Sequence, residues 1–378
     1  MNNIKETYHG KKIDHMDILN IEDAKKFLGD KKCVIVTGVT GQDGSYMADF
    51  LLENTDYIVF GGVRRLSVYN HTNISHINSD KFKLINFDLT DSHSINRIIE
   101  KLSPEYFINF AAQSFVGSSW DFPQQTWETN TTSVIHILEA IRLYNPSCRF
   151  YQAGSSEEFG DVIYSPQDLK HPLRPRSPYG ASKAAARQIV KVWRDSYDIF
   201  AIQGFLFNHE SERRGEEFVS RKITKAVAKI AKSIHQGDAN FEPLELGNLD
   251  AQRDWSHAED FVRAVWLMLK QDKPKDYLLA SGETHTVREF VELAFDNAGI
   301  QGYWSGEGVN EVYKLRGESP VDVTLLKINE KFYRPAEVEL LLGDPSEAQK
   351  ELNWEKTVDF ETLVCRMCQH EFKEINAT

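Results

Sequence analysis

The sequence predicts an α/β fold in which a doubly wound parallel sheet is followed by a smaller C-terminal α/β domain. From residue 33 onward, short apolar runs rich in β-branched residues alternate with amphipathic helical stretches, as in repeated β–α units. The first run, Val34-Ile35-Val36, shows no polar alternation, which is typical of a strand covered on both faces. Three glycines and a predicted helix over 45–53 follow it directly. Sheets of this kind bind ligands beyond the carboxyl ends of their strands.

The other elements follow in order along the chain. Asp91 is expected to cap one helix, and an amphipathic helix between Ile18 and Gly29 is expected to precede the sheet. Further strands are predicted over 57–63, 82–87, 106–110, 149–153 and 199–207, and further helices over 91–102, 126–144 and 179–197.

Past residue 207 the alternation of strands and helices breaks, and the chain is predicted to return to the sheet near 254–280. This change of pattern divides the chain into three parts. We predict an N-terminal extension over 1–31, a nucleotide-binding domain over 32–207, and a second domain made of 208–253 and 281–378.

Composition excludes several classes of function. The 378 residues carry a formal net charge of −12, which argues against general nucleic-acid binding and does not favour an anionic membrane surface. No apolar run reaches transmembrane length, and the polar N-terminal stretch lacks the apolar core of a secretion signal. Four cysteines are too few for a disulfide framework, and the lone C-x-x-C lacks the partners of a zinc site. We expect a cytoplasmic protein with no metal, nucleic-acid or membrane partner.

Gly38, Gly41 and Gly44 form a G-x-x-G-x-x-G turn between the first strand and the following helix. The free N–H groups and the positive dipole end of a helix N-terminus favour an anion at such a turn. A side chain there would hold the backbone away from a pyrophosphate. Because the spacing differs from the commoner G-x-G-x-x-G, the turn by itself fits either a nucleotide site or a tight strand–helix connection without a ligand.

The predicted second strand ends in Arg64-Arg65. In NAD-binding folds an acidic residue about 20 residues past the glycines holds the ribose 2′-hydroxyl, whereas an arginine there accommodates a 2′-phosphate. No acid stands at this position, so NADP is favoured over NAD, although at least one of the arginines fits an ordinary solvated charge. Residues after the next two strands are expected beside the cofactor, with Asp88 and Leu89 at its adenine end and Ala111, Ala112 and Gln113 beneath it.

A third group of residues has side chains suited to catalysis. Ser155 follows the predicted fifth strand, and Tyr179 and Lys183 lie four residues apart, on one face of a helix. The lysine cation is expected to lower the tyrosine pKa, which is about 10 in the free residue. The phenolate can then take a proton from a sugar hydroxyl while hydride leaves the same carbon, with Ser155 bonded to that hydroxyl. Tyrosine–lysine pairs at this spacing are common, so the argument depends on their combination with the glycine turn and the arginines.

Longer motifs make the chain resemble the extended short-chain dehydrogenase/reductase family and, within it, the GDP-mannose 4,6-dehydratases. The resemblance covers nearly all of 33–365. Two of its motifs, LFNHESERRGEEFVSRKI and RPAEVELLLGDP, are far more specific than the glycines. It implies a Rossmann-type sheet that binds NADP and a smaller domain that binds a GDP-sugar. The motifs are TGVTGQDGSY, RR, FDLTDS, AAQS, YQAGSSEEFG, RSPYGASK, LFNHESERRGEEFVSRKI, LGNLDAQRDW and RPAEVELLLGDP.

The resemblance implies a lyase with an internal redox cycle. In that family the cofactor takes hydride from C4 of the hexose, and a carboxylate removes the C5 proton and helps to expel the C6 hydroxyl as water. The hydride then returns to C6, so that GDP-mannose would give GDP-4-keto-6-deoxy-mannose. The family's carboxylate corresponds to Glu157, and Glu158 is its competitor. Because the family usually has an apolar residue at the second position, Glu158 is expected to face solvent or a structural partner.

The resemblance also implies binding positions. Arginine suits a diphosphate because its planar fork donates two hydrogen bonds at once, although any single arginine fits a surface or subunit salt bridge as well. The cofactor is expected at Gly38, Thr40, Gly41, Gln42, Asp43, Gly44, Arg64, Arg65, Asp88, Leu89, Ala111, Ala112, Gln113, Ser114, Tyr179, Lys183, His209 and Arg214. The GDP-sugar is expected at Ser114, Glu157, Asn208, Val219, Lys222, Arg253, Arg334 and Glu337.

Departures from the family pattern leave the sugar open. Ser155 replaces a threonine, Phe159 a tyrosine, and Gln125 an aromatic residue, but none of these changes removes a catalytic group. One alternative is a 4,6-dehydratase that acts on GDP-D-glycero-D-manno-heptose, and another is a nucleotide-sugar epimerase or reductase, which has no need of Glu157. A non-catalytic nucleotide sensor would have no reason to keep the four catalytic side chains. The arginines expected beside the cofactor favour a homodimer or homotetramer.

Overall fold

The structure is a computed structural model that describes residues 7–8, 11–12, 17–68, 70–238, 240–317, 323–332 and 340–377. Its strands are β1 (Thr7–Tyr8), β2 (Lys11–Lys12), β3 (Ile18–Leu19), β4 (Cys33–Thr37), β5 (Ile58–Val63), β6 (Phe82–Asn86), β7 (Tyr106–Asn109), β8 (Arg149–Ala153), β9 (Ala201–Leu206), β10 (Asn208–Glu210), β11 (Leu244–Leu246), β12 (Gln252–Arg253), β13 (Trp255–His257), β14 (Tyr277–Leu279), β15 (His285–Thr286), β16 (Gly302–Ser305), β17 (Val312–Leu315), β18 (Thr324–Ile328) and β19 (Leu340–Leu341). Its α-helices are α1 (Ile21–Leu28), α2 (Gln42–Asn54), α3 (Ser92–Leu102), α4 (Ser118–Asp121), α5 (Pro123–Trp127), α6 (Ser133–Tyr144), α7 (Pro178–Tyr197), α8 (Val219–His235), α9 (Ala258–Leu269), α10 (Val287–Asn297), α11 (Ser346–Leu352) and α12 (Phe360–Ala377).

Eight parallel strands form the central sheet, in the order β14-β9-β8-β7-β4-β5-β6-β3. β4 lies in the middle and is fully buried, because α2 and α9 cover one face of the sheet and α3, α6 and α7 cover the other. The predicted doubly wound parallel sheet is therefore confirmed. The register places Thr37 beside Asn109 and Asn109 beside Gln152, so the carboxyl ends of β4, β7 and β8 meet at one edge.

Most predicted elements are present, with shifts at their ends. β8 has the predicted bounds, and Asp91 caps α3 by accepting hydrogen bonds from two backbone N–H groups. α2 begins at Gln42, three residues earlier than predicted, because the glycine turn closes at Gly41. The helix predicted over 126–144 is present as one continuous helical run, in which the π-helical turn Glu128–Thr132 stands between α5 and α6.

Part of the predicted N-terminal extension belongs to the sheet. Ile18 and Leu19 pair in parallel with Leu84 and Ile85, which makes β3 the edge strand. Asn20 caps α1 through two backbone N–H groups, and the glycine predicted to end the helix adopts φ +56°. The apolar side of α1 packs into the core cluster that also contains α3. The expected helix is confirmed, and it extends the layer of helices on that face.

The second half of the chain builds smaller sheets, ordered β11-β18-β17-β16, β15-β12-β19 and β10-β13. A separate core, centred on Trp255 and Phe290, joins α8, α10 and α12. Within 254–280, β14 adds the outer strand of the large sheet, whereas β13 pairs with β10 instead. The predicted domain boundaries themselves stay a prediction. Among the described residues, no helix combines the length and apolar character that crossing a bilayer requires.

Candidate active site

The glycine turn follows β4 at the edge where the strands end. Gly38 has φ +67°, and a Cβ there would lie 2.8 Å from the backbone N of Ala111. A Cβ on Gly44 would lie 2.3 Å from the carbonyl oxygen of Gly38, so both positions require glycine. Gly41 donates its N–H to that same carbonyl and, as the cap residue of α2, offers no side chain to the helix N-terminus. The turn therefore leaves the start of α2 open to an anion.

A buried chain of polar side chains runs beneath this turn. The Thr37 hydroxyl donates to the Asn109 side-chain oxygen at 2.5 Å, and the Asn109 amide donates to the Gln152 side-chain oxygen at 2.7 Å. Thr37 also accepts the backbone N–H of Ala111 at 3.2 Å. These bonds tie the ends of β4, β7 and β8 together and hold the segment after β7 against the glycines.

The residues predicted for the adenine end lie along the neighbouring strand ends. Arg64 and Arg65 follow β5, are exposed, and form no ion pair with any residue in the described part of the chain. Asp88 accepts hydrogen bonds from the backbone and hydroxyl of Thr90, while Leu89 is buried. Both arginines are thus available to an anion at this edge of the sheet.

Asp43 and His209 form an ion pair that joins the start of α2 to β10. The His209 Nε2 lies 2.9 Å from an Asp43 carboxylate oxygen, and its Nδ1 lies 2.8 Å from the Phe207 carbonyl oxygen. A carbonyl and a carboxylate both accept hydrogen bonds, so with Asp43 ionised both ring nitrogens of His209 donate, as in an imidazolium. Burial alone would raise the pKa of Asp43, but His209 lowers it below its ordinary value. Burial alone would lower the pKa of His209, but Asp43 raises it.

Arg214 lies in the same region but makes a different contact. Its Nε is 3.0 Å from a carboxylate oxygen of Glu210, at an angle that makes an ion pair without a hydrogen bond. The guanidinium carbon lies 3.7 Å from the ring centre of Phe218. Its charge acts on both Asp43 and Tyr179, which places Arg214 between the glycine turn and the reaction centre.

Ser155, Tyr179 and Lys183 come together where β8 ends against α7. Ser177 caps α7 by accepting the N–H of Gly180 at 3.0 Å, which sets the first turn that carries Tyr179. The Ser155 hydroxyl lies close enough to Tyr179 to lower its pKa. The Lys183 ammonium donates to the Ala153 carbonyl at 2.9 Å and lies 5.8 Å from the Tyr179 ring centre.

Burial has the largest effect on the pKa values of Tyr179 and Lys183. It raises the pKa of Tyr179 above its ordinary value, and the nearby Ser155 hydroxyl opposes that rise. Burial also lowers the pKa of Lys183 to about 8, against the opposing charges of Glu158 and Asp43. In the chain by itself burial keeps the pKa of Tyr179 raised, and the lowering expected from Lys183 stays a prediction.

The two candidate carboxylates occupy different environments. Ser155 accepts the N–H of Glu157 at 3.2 Å, and Glu157 is half-buried with its charge acting on Tyr179. Glu158 is fully buried, and one of its oxygens accepts the Ser155 N–H at 2.8 Å and the Gln203 amide at 2.9 Å. Burial raises the pKa of Glu158 to about 7. Glu158 was expected to face either solvent or a structural partner, and the structure shows the second.

The residues expected around the GDP-sugar lie beside β10, β12 and α8. Asn208 pairs with Trp255 in the strand register, two residues beyond Arg253, and its buried side-chain oxygen has no hydrogen-bond partner in the described part of the chain. The Lys222 ammonium donates to the Glu245 carbonyl at 2.6 Å. Val219 begins α8, and Ser114 is exposed after β7. Arg334 and Glu337 lie outside the described residues.

Sequence reasoning missed Asn130, which lies in the π-helical turn. Its side-chain oxygen accepts the Gln113 N–H at 2.8 Å, and its amide donates to the Gln113 carbonyl at 2.9 Å and to the Ser182 hydroxyl at 3.1 Å. It thereby links the segment after β7 to the helix that carries Tyr179 and Lys183. The run Thr-Asn-Thr-Thr, poor in helix formers inside a predicted helix, is the feature of the sequence that marks it.

A glycine turn on the central strand of a parallel sheet, together with a serine, tyrosine and lysine at β8 and α7, defines a member of the extended short-chain dehydrogenase/reductase class. Solved structures share the fold. UDP-glucose 4-epimerase from Thermotoga maritima has a TM-score of 0.73 and 21% identity, and the match covers 90% of this chain and 99% of that one. DesIV, a dTDP-glucose 4,6-dehydratase from Streptomyces venezuelae solved as a double mutant with NAD bound, has a TM-score of 0.74 and 19% identity, covering 91% and 98%.

The chain belongs to the GDP-mannose 4,6-dehydratase family, whose model matches residues 35–367. The Drosophila melanogaster GDP-mannose 4,6 dehydratase is 46% identical over 351 residues, which cover 90% of this chain and 86% of that protein. The human enzyme is 44% identical over 347 residues, covering 89% and 90%. A Vibrio cholerae relative is 41% identical over 358 residues, covering 91% and 94%. The chain is accordingly an enzyme of the hydro-lyase class.

The ion pair between Asp43 and His209 predicts a pH-dependent stability. The raised His209 pKa contributes stability below the ordinary value of 6.5, and this is lost as the pH rises through the folded-state pKa. The lowered Asp43 pKa contributes stability above the ordinary value of 3.8, and this is lost as the pH falls. Asp43→Asn should therefore reduce the free energy of unfolding by about 1 to 3 kcal/mol between these values, and by less at alkaline pH.

Urea unfolding at about pH 5.5 and about pH 8.5 measures this difference. Glu53→Gln, on an exposed position of the same helix, is the control and should change little at either pH. An Asp43→Asn effect of equal size at both pH values would contradict the ion pair.

Proposed function

We propose that this chain catalyses the NADP-dependent 4,6-dehydration of GDP-mannose to GDP-4-keto-6-deoxy-mannose. The observation that carries the proposal is the convergence of Ser155, Tyr179 and Lys183 with Glu157 directly beside them, in a chain of this family. An epimerase of the same fold has no need of Glu157. Homodimer or homotetramer formation and a cytoplasmic location stay predictions.

Features of the sheet edge support a nicotinamide cofactor. The glycine turn is a cradle that a Cβ on Gly38 or Gly44 would fill, which suits a pyrophosphate at the start of α2. Arg64 and Arg65 lie at the end of β5 with no ion pair to any described residue, which suits the 2′-phosphate of NADP. The chemistry that such a cofactor supplies when bound is the reversible acceptance of hydride.

The chain's own residues supply the proton transfers. Tyr179 takes the proton of the C4 hydroxyl, which Ser155 orients by hydrogen bonding. Lys183, buried one helical turn away, stabilises the phenolate that this step needs. Glu157 removes the C5 proton, made acidic by the C4 ketone, and delivers a proton to the departing C6 hydroxyl so that water leaves.

Burial supports Glu157 over Glu158 in the elimination step. Glu157 is accessible enough to meet a sugar and close enough for its charge to act on Tyr179. Glu158 is fully enclosed, with one oxygen already held by Ser155 and Gln203. A carboxylate in that position has no path to the C5 hydrogen of a bound hexose.

The substrate assignment depends on the second half of the chain. The Asn208 side-chain oxygen, which has no hydrogen-bond partner among the described residues, together with Arg253 and Lys222, offers polar and cationic groups for a guanosine diphosphate. Ser114, Val219, Arg334 and Glu337 complete the proposed site by resemblance to the family.

Incubation of the purified protein with NADP and GDP-mannose is expected to give a product that has lost one water, detected by mass spectrometry. GDP-D-glycero-D-manno-heptose, tested in parallel, should react more slowly because the proposal assigns the hexose as substrate. Cofactor in the denatured protein should be NADP(H), as the two arginines require. Preferential dehydration of the heptose would overturn the substrate assignment, and NAD(H) alone in the extract would overturn the cofactor assignment.

Glu157→Gln is expected to stop water loss while still allowing oxidation at C4, because the amide cannot accept the C5 proton. Stopped-flow absorbance of the reduced nicotinamide measures the oxidation, and mass spectrometry measures the elimination. Asp161→Asn, which removes an exposed carboxylate of the same loop paired with Arg174, is the control and should retain both steps. Normal dehydration by Glu157→Gln would transfer the role to another acid.

A further inference from the structure

One face of α7 carries two buried cations in succession. Tyr179, Lys183 and Arg187 recur at intervals of four residues, so their side chains share one face of the helix. Lys183 is 2% exposed and the Arg187 side chain is 14% exposed. Two cations on adjacent turns repel one another, and each loses hydration in the interior, so this face requires a buried negative charge.

Glu158 supplies that charge from the opposite side. Its carboxylate is fully buried, and its charge acts on both Lys183 and Arg187. One carboxylate oxygen accepts the N–H of Ser155, and Lys183 donates to the carbonyl of Ala153. Glu158 and Lys183 therefore hold the same strand end, at positions two residues apart.

We propose that Glu158 is a positioning residue of the reaction centre: its buried carboxylate fixes the Ser155 backbone and provides the counter-charge for the Lys183 side chain, which is bound to the same strand end. The inference rests on the function proposed above and adds a residue to it. Glu158 acts through Ser155 and Lys183, without contact to the reacting atoms. The resemblance to the family implies an apolar residue here, so the device belongs to this chain.

The other charged groups nearby are already paired. Asp276 lies 2.7 Å from Arg194 and 3.8 Å from Arg187, which neutralises the far end of the cluster. Asp43, the second carboxylate that acts on Lys183, is paired with His209. Glu158 has no ion pair within 4.0 Å among the described residues, and its second oxygen has no hydrogen-bond partner there. The Glu158 charge thus acts on both Lys183 and Arg187 and is not paired with either one.

Glu158 stabilises the charged form of Lys183 but disfavours the charged form of two nearby tyrosines. The charge of Glu158 raises the pKa of both Tyr151 and Tyr179. Glu157 raises the pKa of Tyr179 as well, and Arg214 lowers it. Removal of the Glu158 charge would therefore make Tyr179 easier to ionise directly, whereas it would favour the neutral form of Lys183. A shift toward lower pH in the loss of activity would identify the lysine as the group that matters.

Burial lowers the pKa of Lys183 to about 8, and Glu158 opposes this lowering. The ammonium form exists below the folded-state pKa and is lost as the pH rises through it. Without the Glu158 charge that loss occurs at lower pH. Glu158→Gln keeps the size of the side chain and an oxygen that can accept the Ser155 N–H, so it removes the charge with little change in packing.

The test is the pH profile of kcat and kcat/KM for GDP-mannose dehydration from about pH 6 to about pH 10. Glu158→Gln should move the high-pH limb down by about one pH unit or more. Glu158→Asp retains the charge and should keep the limb of the unsubstituted protein. Asp276→Asn is the matched control, because it removes a buried carboxylate of the same cluster that does not act on Lys183.

An unshifted limb in folded Glu158→Gln, with a rate lowered equally at every pH, would overturn the inference and leave Glu158 a packing role alone. If that variant does not fold, as judged by circular dichroism, Glu158→Leu, with an apolar side chain as the family resemblance implies, replaces it. This substitution also removes the Glu158 charge and leaves Arg187 in place, so the same downward shift is expected; an unshifted limb again overturns the inference. Absence of turnover in the unsubstituted protein would overturn the proposed function itself, and the inference with it.

Discussion

The burial of the Lys183 ammonium at the end of β8 is the constraint on which the rest of the reaction centre depends. A cation withdrawn from water is stable only if hydrogen bonds and opposite charges replace its hydration. The Ala153 carbonyl supplies the hydrogen bond, and Glu158 and Asp43 supply the charge. Asp43 in turn is held by His209, so the glycine turn and β10 are parts of the same electrostatic unit.

This unit explains why residues far apart in the chain are held so closely. The Gln42 amide donates to the His209 carbonyl at 3.0 Å, and the Ser211 hydroxyl donates to the Gln42 side-chain oxygen at 2.7 Å. The start of α2, which the glycines leave open to a phosphate, is therefore fixed by the segment that leads into the second half of the chain. Its position is set by the same contacts that balance the charges around Lys183, so cofactor binding and catalysis share one framework.

Local patterns predicted the parts of the structure whose causes are local. The bounds of β8 and the Asp91 cap follow from a short apolar run and from one side chain beside its own helix. The glycine turn was predictable as well from the spacing of its glycines between a strand and a helix, although the close approach at Gly38 comes from Ala111 after β7. Asn130 was not, because its partners lie on other elements that the fold brings to it.

The environment of Glu158 could not be predicted for the same reason. Its burial depends on Arg187 and Gln203, which the fold brings to it from another helix and another strand. A pair of adjacent glutamates gives no indication of which one the interior will enclose. The sequence therefore predicted the catalytic group by type and spacing, whereas the balance of charges beneath it required the packed structure.

The most direct measurement traces the hydrogen that leaves C4 of the sugar as hydride. GDP-mannose deuterated at C4 is converted by the enzyme alongside unlabelled substrate, and the product is analysed by NMR and mass spectrometry. A cofactor that is reduced and reoxidised in place predicts deuterium at C6 of the same molecule, with no exchange between labelled and unlabelled substrate. Loss of deuterium to the cofactor pool, or its absence from C6, would contradict the account.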